Sequence, residues 1–443
     1  MTRGGPETVG DFLRSLTSSP ILQQAGWLAA AKIVQGAAGI VATLAVARHL
    51  GPSVFGLLSL ATAIATFVGS AASLGLEHIA TRELTTVNPS QGPSMLPVLR
   101  RMRGIGGLLG CIVLLVITAT PAAHGYGVSG PLLILCLLPL AQIGDLSEWR
   151  LIAGGRSRLV AIATLLSSPL AALARLAFAA TDAGVAVFAW LLVAEWALRS
   201  LLLTLSARDR TAIAPESDPA FLASALSLLR DSMPLLLSGI AVFVYMRIDQ
   251  FMIAAMLGPH DVGLYSAIVA IAEVPLVLPA LLLRAALPIL VRQSETDSAL
   301  RDRTLIALMR RGFYLHLAVA LATAAFAEPL VSLLYGEAFR VAAPALRIQV
   351  LAAPFVVLGV FSSAWLVLTR CTHYALRRTI VGAVINVALN LVAIPRYGIA
   401  GAATATLLAQ VIATYLLDLF HPQIRELFLM KTRALLPRFW IQP

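Results

Sequence analysis

The chain has 443 residues, of which 59% are hydrophobic and only 12% charged, and its mean hydropathy is +0.86. Soluble proteins average roughly 45–50% and about 25%, so this chain has too few charges to cover its apolar content and its solvent is a bilayer. The net charge of +11 is nearly all arginine, with Lys32 and Lys431 the only lysines; these cations fall between apolar runs, which speaks for membrane topology and against a nucleic-acid partner.

Arg3, Glu7, Asp11 and Arg14 precede any apolar run, and the first run, 25–47, is too long for the apolar core of a signal peptide. A membrane span needs about 20 apolar residues at 1.5 Å each. Twelve such runs follow in order: 25–47, 54–80, 104–121, 131–152, 159–180, 184–206, 233–256, 262–290, 313–334, 342–368, 378–395 and 399–420. With the N-terminus cytoplasmic, 25 of the 33 Lys and Arg residues fall on the cytoplasmic side. Only Arg48, Arg340 and Arg396 fall on the other. A missed or extra span would mix the two sets, so the positive-inside rule supports twelve spans with both termini cytoplasmic. The expected fold is an all-α polytopic membrane protein. Its expected parts are a six-helix bundle over 1–206, a cytoplasmic linker over 207–232, a second six-helix bundle over 233–420 and a cytoplasmic tail over 421–443.

An internal repeat links the two halves. Leu50-Gly51-Pro52-Ser53-Val54-Phe55-Gly56-Leu57-Leu58-Ser59 matches Leu257-Gly258-Pro259-His260-Asp261-Val262-Gly263-Leu264-Tyr265-Ser266 at an offset of 207. Gly-Pro is common in turns, but Leu-Gly-Pro, Gly-Leu and Ser recur here at the same positions. An even number of spans separates the copies. The bundles are therefore expected to be parallel, related by a pseudo-two-fold axis along the membrane normal, as in some transporters.

At these residues the sequence resembles the Wzx-type polysaccharide-lipid flippases, which share a superfamily with multidrug MATE exporters and lipid II flippases. The resemblance runs from Leu50-Gly51-Pro52 and Phe55-Gly56 through Ser73-Leu74-Gly75-Leu76, Arg82-Glu83 and Tyr245-Met246-Arg247-Ile248-Asp249. It continues at Tyr335-Gly336-Glu337 and ends at Pro395-Arg396-Tyr397-Gly398-Ile399-Ala400-Gly401-Ala402. It implies a bacterial inner-membrane protein that moves undecaprenyl-pyrophosphate-linked sugar units to the outer leaflet for O-antigen, exopolysaccharide or capsule synthesis. The implied partners are the lipid-linked glycan, membrane lipid and other polysaccharide-assembly proteins. It also implies no cofactor beyond an H+ or Na+ gradient. Lipid II flippases usually carry fourteen spans, so twelve favour the polysaccharide branch.

Ionisable groups inside spans are costly and are functional candidates by default. Lys32, Gln35, Gly36, Gly39 and Thr43 share one helix face; that face either lines a cavity, with Lys32 on a phosphate, or packs closely through its glycines while Lys32 snorkels. Arg247 and Asp249 are two apart and point different ways, so each needs a partner on another helix or water. Arg247 is the leading pyrophosphate candidate through its bidentate fork, the alternative being structural ion pairs. Glu273 precedes Pro275, Pro279, Arg284 and Pro288 in a span that should bend. Glu273, with Asp249, is a candidate to carry the coupled proton or sodium, or else Glu273 simply pairs with Arg247. Asp249, which is also a substrate-binding candidate, and Arg175, Arg284 and Arg347 complete that set. Glu195 and Arg199 are expected to pair at i, i+4, and Asp145, Glu148 and Trp149 either to lie at a solvated helix end or to line the cytoplasmic entrance.

No metal-ligand cluster, Walker A motif or catalytic constellation is present in the sequence. Two functions compete with the flippase. A drug or cation antiporter of the same fold is one, although Lys32 and Arg247 fit anions better. A membrane enzyme of the same pathway is the other, and the outer loops, about ten residues or fewer, are too short for its catalytic site.

Overall fold

The computed structural model describes residues 20–86, 95–207 and 221–436. Parts of the expected linker (208–220) and tail (437–443), and Arg3 and Arg14, lie outside them. Among the described residues the chain is helical without strands. Ten helices are long and apolar enough to cross a membrane. They are α1 (Gly26–Ala72), α2 (Leu96–Thr118), α3 (Ser129–Ala153), α4 (Ser157–Ala179), α5 (Val185–Ser206), α6 (Ser224–Met256), α7 (Pro259–Thr296), α8 (Ser298–Ala325), α9 (Glu337–Leu368) and α10 (His373–Phe420).

The twelve expected spans map onto these ten, although the ninth, expected over 313–334, ends at Ala325 and a separate helix, Ala327–Tyr335, follows it. α1 and α10 have 47 and 48 residues, about 70 Å if straight, more than twice a hydrocarbon core of about 30 Å. Each is broken at one glycine outside helical geometry: Gly51 (φ 69°, ψ 171°) in α1 and Gly398 (φ 58°, ψ −140°) in α10. Counted at those breaks, the described residues make twelve passes in the expected order. The second pass is shorter than expected. It stops at Ala72, and a separate helix, Leu76–Thr86, restarts after Leu74 (φ 56°) and Gly75 (φ 64°). Gly75 is needed twice over: its φ is positive, and a Cβ there would press on the α6 backbone at Ser232 and Leu236.

The chain folds into two compact units. The first is built from described parts of Met1–Val46, Ile64–His124 and Ser129–Leu237, the second from Ala47–Ala63, Gly125–Val128 and Ser238–Pro443. Within the first, Leu76, Leu99, Met102, Trp149 and Leu228 form one apolar core; within the second, Leu305, Met309, Val357, Phe361, Leu427 and Met430 form another.

Inside the second unit the two copies of the repeat meet. A Cβ on Gly56 would strike the carbonyl of Pro259, and one on Gly263 would strike the carbonyl of Pro52. Ser53 Oγ and His260 Nδ1 lie 3.0 Å apart. All three pairings join residues at or near the repeat offset of 207. The same offset relates Gln142 and Gln349, each beside a 3-10 turn that interrupts its helix: Gln142–Gly144 in α3 and Val350–Ala352 in α9.

α7 bends where its prolines require it. A 3-10 turn occupies Val274–Leu276, and Pro279 cannot donate to the carbonyl four residues before it. That carbonyl, of Pro275, is met by His316 Nε2 of α8 at 3.0 Å, the way a neighbouring helix rescues a freed group in lipid.

Candidate functional site

Four helices of the second unit place polar side chains around one cavity of about 90 Å³. α6 contributes Tyr245 and Asp249, one turn apart on the same face; α7 contributes Glu273, α9 Gln349, and α10 Thr406 and Gln410, again one turn apart. Asp249 is 7% exposed. Its Oδ2 accepts a short hydrogen bond from the Tyr265 hydroxyl, and its Oδ1 accepts from the Gln250 amide at 2.9 Å.

Behind this pair runs a chain of polar groups. Asn390 Nδ2 donates to Asn386 Oδ1 at 2.9 Å, Asn386 Nδ2 to Thr406 Oγ1 at 3.4 Å, and Thr406 Oγ1 lies 3.4 Å from Tyr265 Oη. The Tyr265 proton is committed to Asp249, so Thr406 donates to Tyr265. Every donor then points toward the carboxylate, an arrangement that stabilises its negative charge. A buried charge without such partners is prohibitively costly.

Arg247 and Asp249 do not pair with each other. Arg247 Nη2 lies 3.6 Å from Glu273 Oε2, with side chains 34% and 37% exposed. The structure thus gathers Arg247, Asp249 and Glu273 at one site. The other expected residues lie elsewhere. Lys32 donates to Gln35 at 3.2 Å on an exposed face of α1 in the first unit. Arg175, also in the first unit, is buried in a 2.5 Å ion pair with Glu195. Arg284 is exposed on α7. Arg347, at the start of α9, lies 3.7 Å from Glu328, which also pairs with Arg340.

The first unit corrects two expectations. Glu195 does not pair with Arg199; it reaches across to α4, accepting from Arg175 and from Ser168 Oγ at 3.1 Å. Arg199 binds Glu148 at 2.6 Å and Asp145 at 3.6 Å. Asp145 and Glu148 are not a solvated helix end. Asp145 is shared with Arg103, which is 0% exposed and also donates to the Ala72 and Gln142 carbonyls. The physical reason is common to both: one i, i+4 pair serves a single helix, whereas a buried charge needs several donors or acceptors, which only neighbouring helices supply. Arg103 and Arg199, two of the 25 cations that fall on the cytoplasmic side by position in the sequence, are buried groups.

Tyr245 and Tyr265 stand in the resemblance and repeat motifs but not among the expected site residues, and Gln349, Asn386, Asn390, Thr406 and Gln410 are absent from both, because none of these side chains carries a charge. The i, i+4 spacings of Asn386 with Asn390 and of Thr406 with Gln410 in apolar spans are the signal that finds them. Among the described residues no group of three or more His, Cys, Asp or Glu could hold a metal ion.

Residues 45–344 match a family model described as polysaccharide biosynthesis protein. No curated protein matches the sequence. Among solved structures, the chain is similar to an inward-facing multidrug resistance MATE family transporter of the MOP superfamily, with TM-score 0.66, 15% identity, and 90% of this chain and 94% of that one covered. It is also similar to the lipid II flippase MurJ in an inward closed conformation, with TM-score 0.65, 13% identity, and 91% and 90% covered. A MOP superfamily transporter from Pyrococcus furiosus aligns with TM-score 0.55 and 16% identity over 97% and 99%. The chain belongs to the polysaccharide biosynthesis family that its residues 45–344 match, and its fold is similar to those of the MATE transporter and the lipid II flippase MurJ.

Proposed function

We propose that the protein is a secondary-active flippase. It carries an undecaprenyl-pyrophosphate-linked oligosaccharide across the bacterial inner membrane for cell-surface polysaccharide synthesis, by alternating access and without chemistry on the cargo. The observation that carries this reading is the meeting of Arg247, Glu273 and Asp249 in one bundle. Arg247 is accessible enough to offer its planar fork to a pyrophosphate, and Glu273 holds it until the cargo arrives. Asp249, buried among donors, is the carboxylate that binds and releases the coupled H+ or Na+. Lys32 and Gln35 are proposed as further head-group contacts, with Arg284 and Arg347 along the cargo's route. Arg175, held by Glu195, has the weakest claim to that role. The family's description and the flippase fold support the cargo class.

Two acids to one arginine at the site favour a second reading, a drug or cation antiporter. One experiment separates the two. Protein in proteoliposomes is given a lipid-linked oligosaccharide, and head groups reaching the far leaflet are counted for the intact protein and Arg247→Ala at equal amounts. Translocation by the intact protein and its loss in the variant support the flippase and the phosphate contact. A protein that moves no glycolipid but exports a cationic dye is an antiporter.

A further inference from the structure

The cavity joins two carboxylates of opposite accessibility. The Glu273 side chain is 37% exposed, while Asp249 is 7% exposed with both oxygens already accepting hydrogen bonds. Between them lie about 90 Å³, several times the roughly 10–15 Å³ that one water occupies on the same measure. Two buried atoms of the lining, the Tyr245 hydroxyl and Gln349 Oε1, have no protein partner; Gln349 itself is 9% exposed. Buried polar atoms are almost always hydrogen-bonded to protein or to ordered water, and leaving one unpaired costs about 1–3 kcal/mol. The lining is mainly apolar, with Val269, Leu276 and Val356 among it, but Asp249, Glu273, Gln349, Thr406 and Gln410 also border the space and supply carboxylate, amide and hydroxyl groups that can partner a water.

We propose that this cavity is a hydrated proton passage in which Glu273 admits the proton, water held by Tyr245 and Gln349 relays it, and Asp249 receives it. The proposal rests on the reading of Asp249 as the coupling carboxylate. The step balances: the Glu273 carboxylic acid gives its proton to a water as that water gives one to the Asp249 carboxylate. Glu273 is left ionised beside Arg247, which stabilises the carboxylate, and a proton arriving from the accessible side restores the acid form. The titratable and charged groups facing Asp249 are Tyr265 and Glu273 of α7 and Arg247 and Tyr245 of its own helix. Beyond them, His316 of α8 meets α7 at Pro275, and α9 and α10 present the uncharged Gln349, Thr406 and Gln410.

The test uses the full chain in phosphatidylethanolamine–phosphatidylglycerol vesicles, with no cargo. Infrared difference spectra after a rapid pH step report the carboxylic-acid band of Asp249, identified by its loss in Asp249→Asn. The expected result is a band that rises at least about tenfold more slowly in Glu273→Gln and in Gln349→Leu. That is below the 10²–10⁴-fold a positioned proton donor contributes elsewhere. Final amplitude should be kept, and Glu273→Asp should recover much of the rate. An unchanged rate in Glu273→Gln overturns the proposal. So does an Asp249 signal that responds to sodium at constant pH and ignores Glu273, because the coupled ion is then sodium. Since no glycolipid is present, failure here leaves the flippase reading standing, and failure to move glycolipid with an intact relay removes only the cargo.

Discussion

Lys431 donates its ammonium to Asp418 at 2.6 Å with both side chains 0% exposed. The same ammonium reaches the Thr414 carbonyl at 2.5 Å, and Arg378 lies 3.4 Å from the same carboxylate. The C-terminal helix, Arg425–Leu435, is thereby bound to the end of α10 through a triad with one negative and two positive groups. Burial, then the nearby Arg378 charge, lowers the Lys431 pKa to about 7, against the pull of Asp418. The sign follows. The unfolded chain holds this proton up to about pH 10.4 and the folded chain only to about 7, so between these values the unfolded state binds more protons and stability rises with pH. Lys431→Met should remove that rise and leave Asp418 with Arg378. Asp418→Asn should cost about 3–5 kcal/mol, because two buried cations lose their partner. Thermal unfolding in detergent at several pH values reads both.

Arg175 and Glu195 form a cross-helix pair, 10% and 17% exposed, between α4 and α5. Either single change to Leu should destabilise by about 3–5 kcal/mol by stranding the other charge, and the double change should recover most of the loss. A double-mutant cycle on thermal stability tests this. Additive losses would show that the two charges do not depend on each other.

Tyr265→Phe removes the hydroxyl between Asp249 and Thr406. A hydrogen bond to a charged group is worth about 1.5–3 kcal/mol, and a loss of that size is expected. Asn390→Ala, at the far end of the same chain of donors, should cost less.

Gly263→Ala and Gly56→Ala both place a methyl against a backbone carbonyl that no side-chain rotation can move aside. Each should cost about 1–3 kcal/mol, the range of overpacking. The two losses should be similar, since the contacts are mirror images; a sizeable difference in melting temperature would show that the copies are not equivalent.

The passes were legible because apolar length is a property of each segment alone. Even the breaks inside α1 and α10 were marked, by Gly51 and Gly398. Partner choice was not legible. Glu195 has Arg199 one turn away in sequence, yet binds Arg175 on the next helix, and nothing local to Glu195 encodes that. The site was half visible: Arg247, Asp249 and Glu273 stood out as costly charges, and Arg247 did find its partner on another helix. Tyr265, Thr406 and the two asparagines are neutral, and neutral polar residues in spans are common enough that only their convergence on Asp249 distinguishes them.

The turns at Gly51, Gly258 and Gly398 have a consequence for any partner that approaches the side they occupy. Each joins two passes of odd-to-even order through one or two residues, so these connections fall on a single side of the bilayer. On that side the second unit offers blunt helix ends with almost no free chain there. A protein binding there would find no loop to grip at these points and would have to recognise the rims of the helices themselves. An epitope or protease site meant to report from that side is better placed away from these three glycines, since an insertion there would pry apart helices that meet at a single residue.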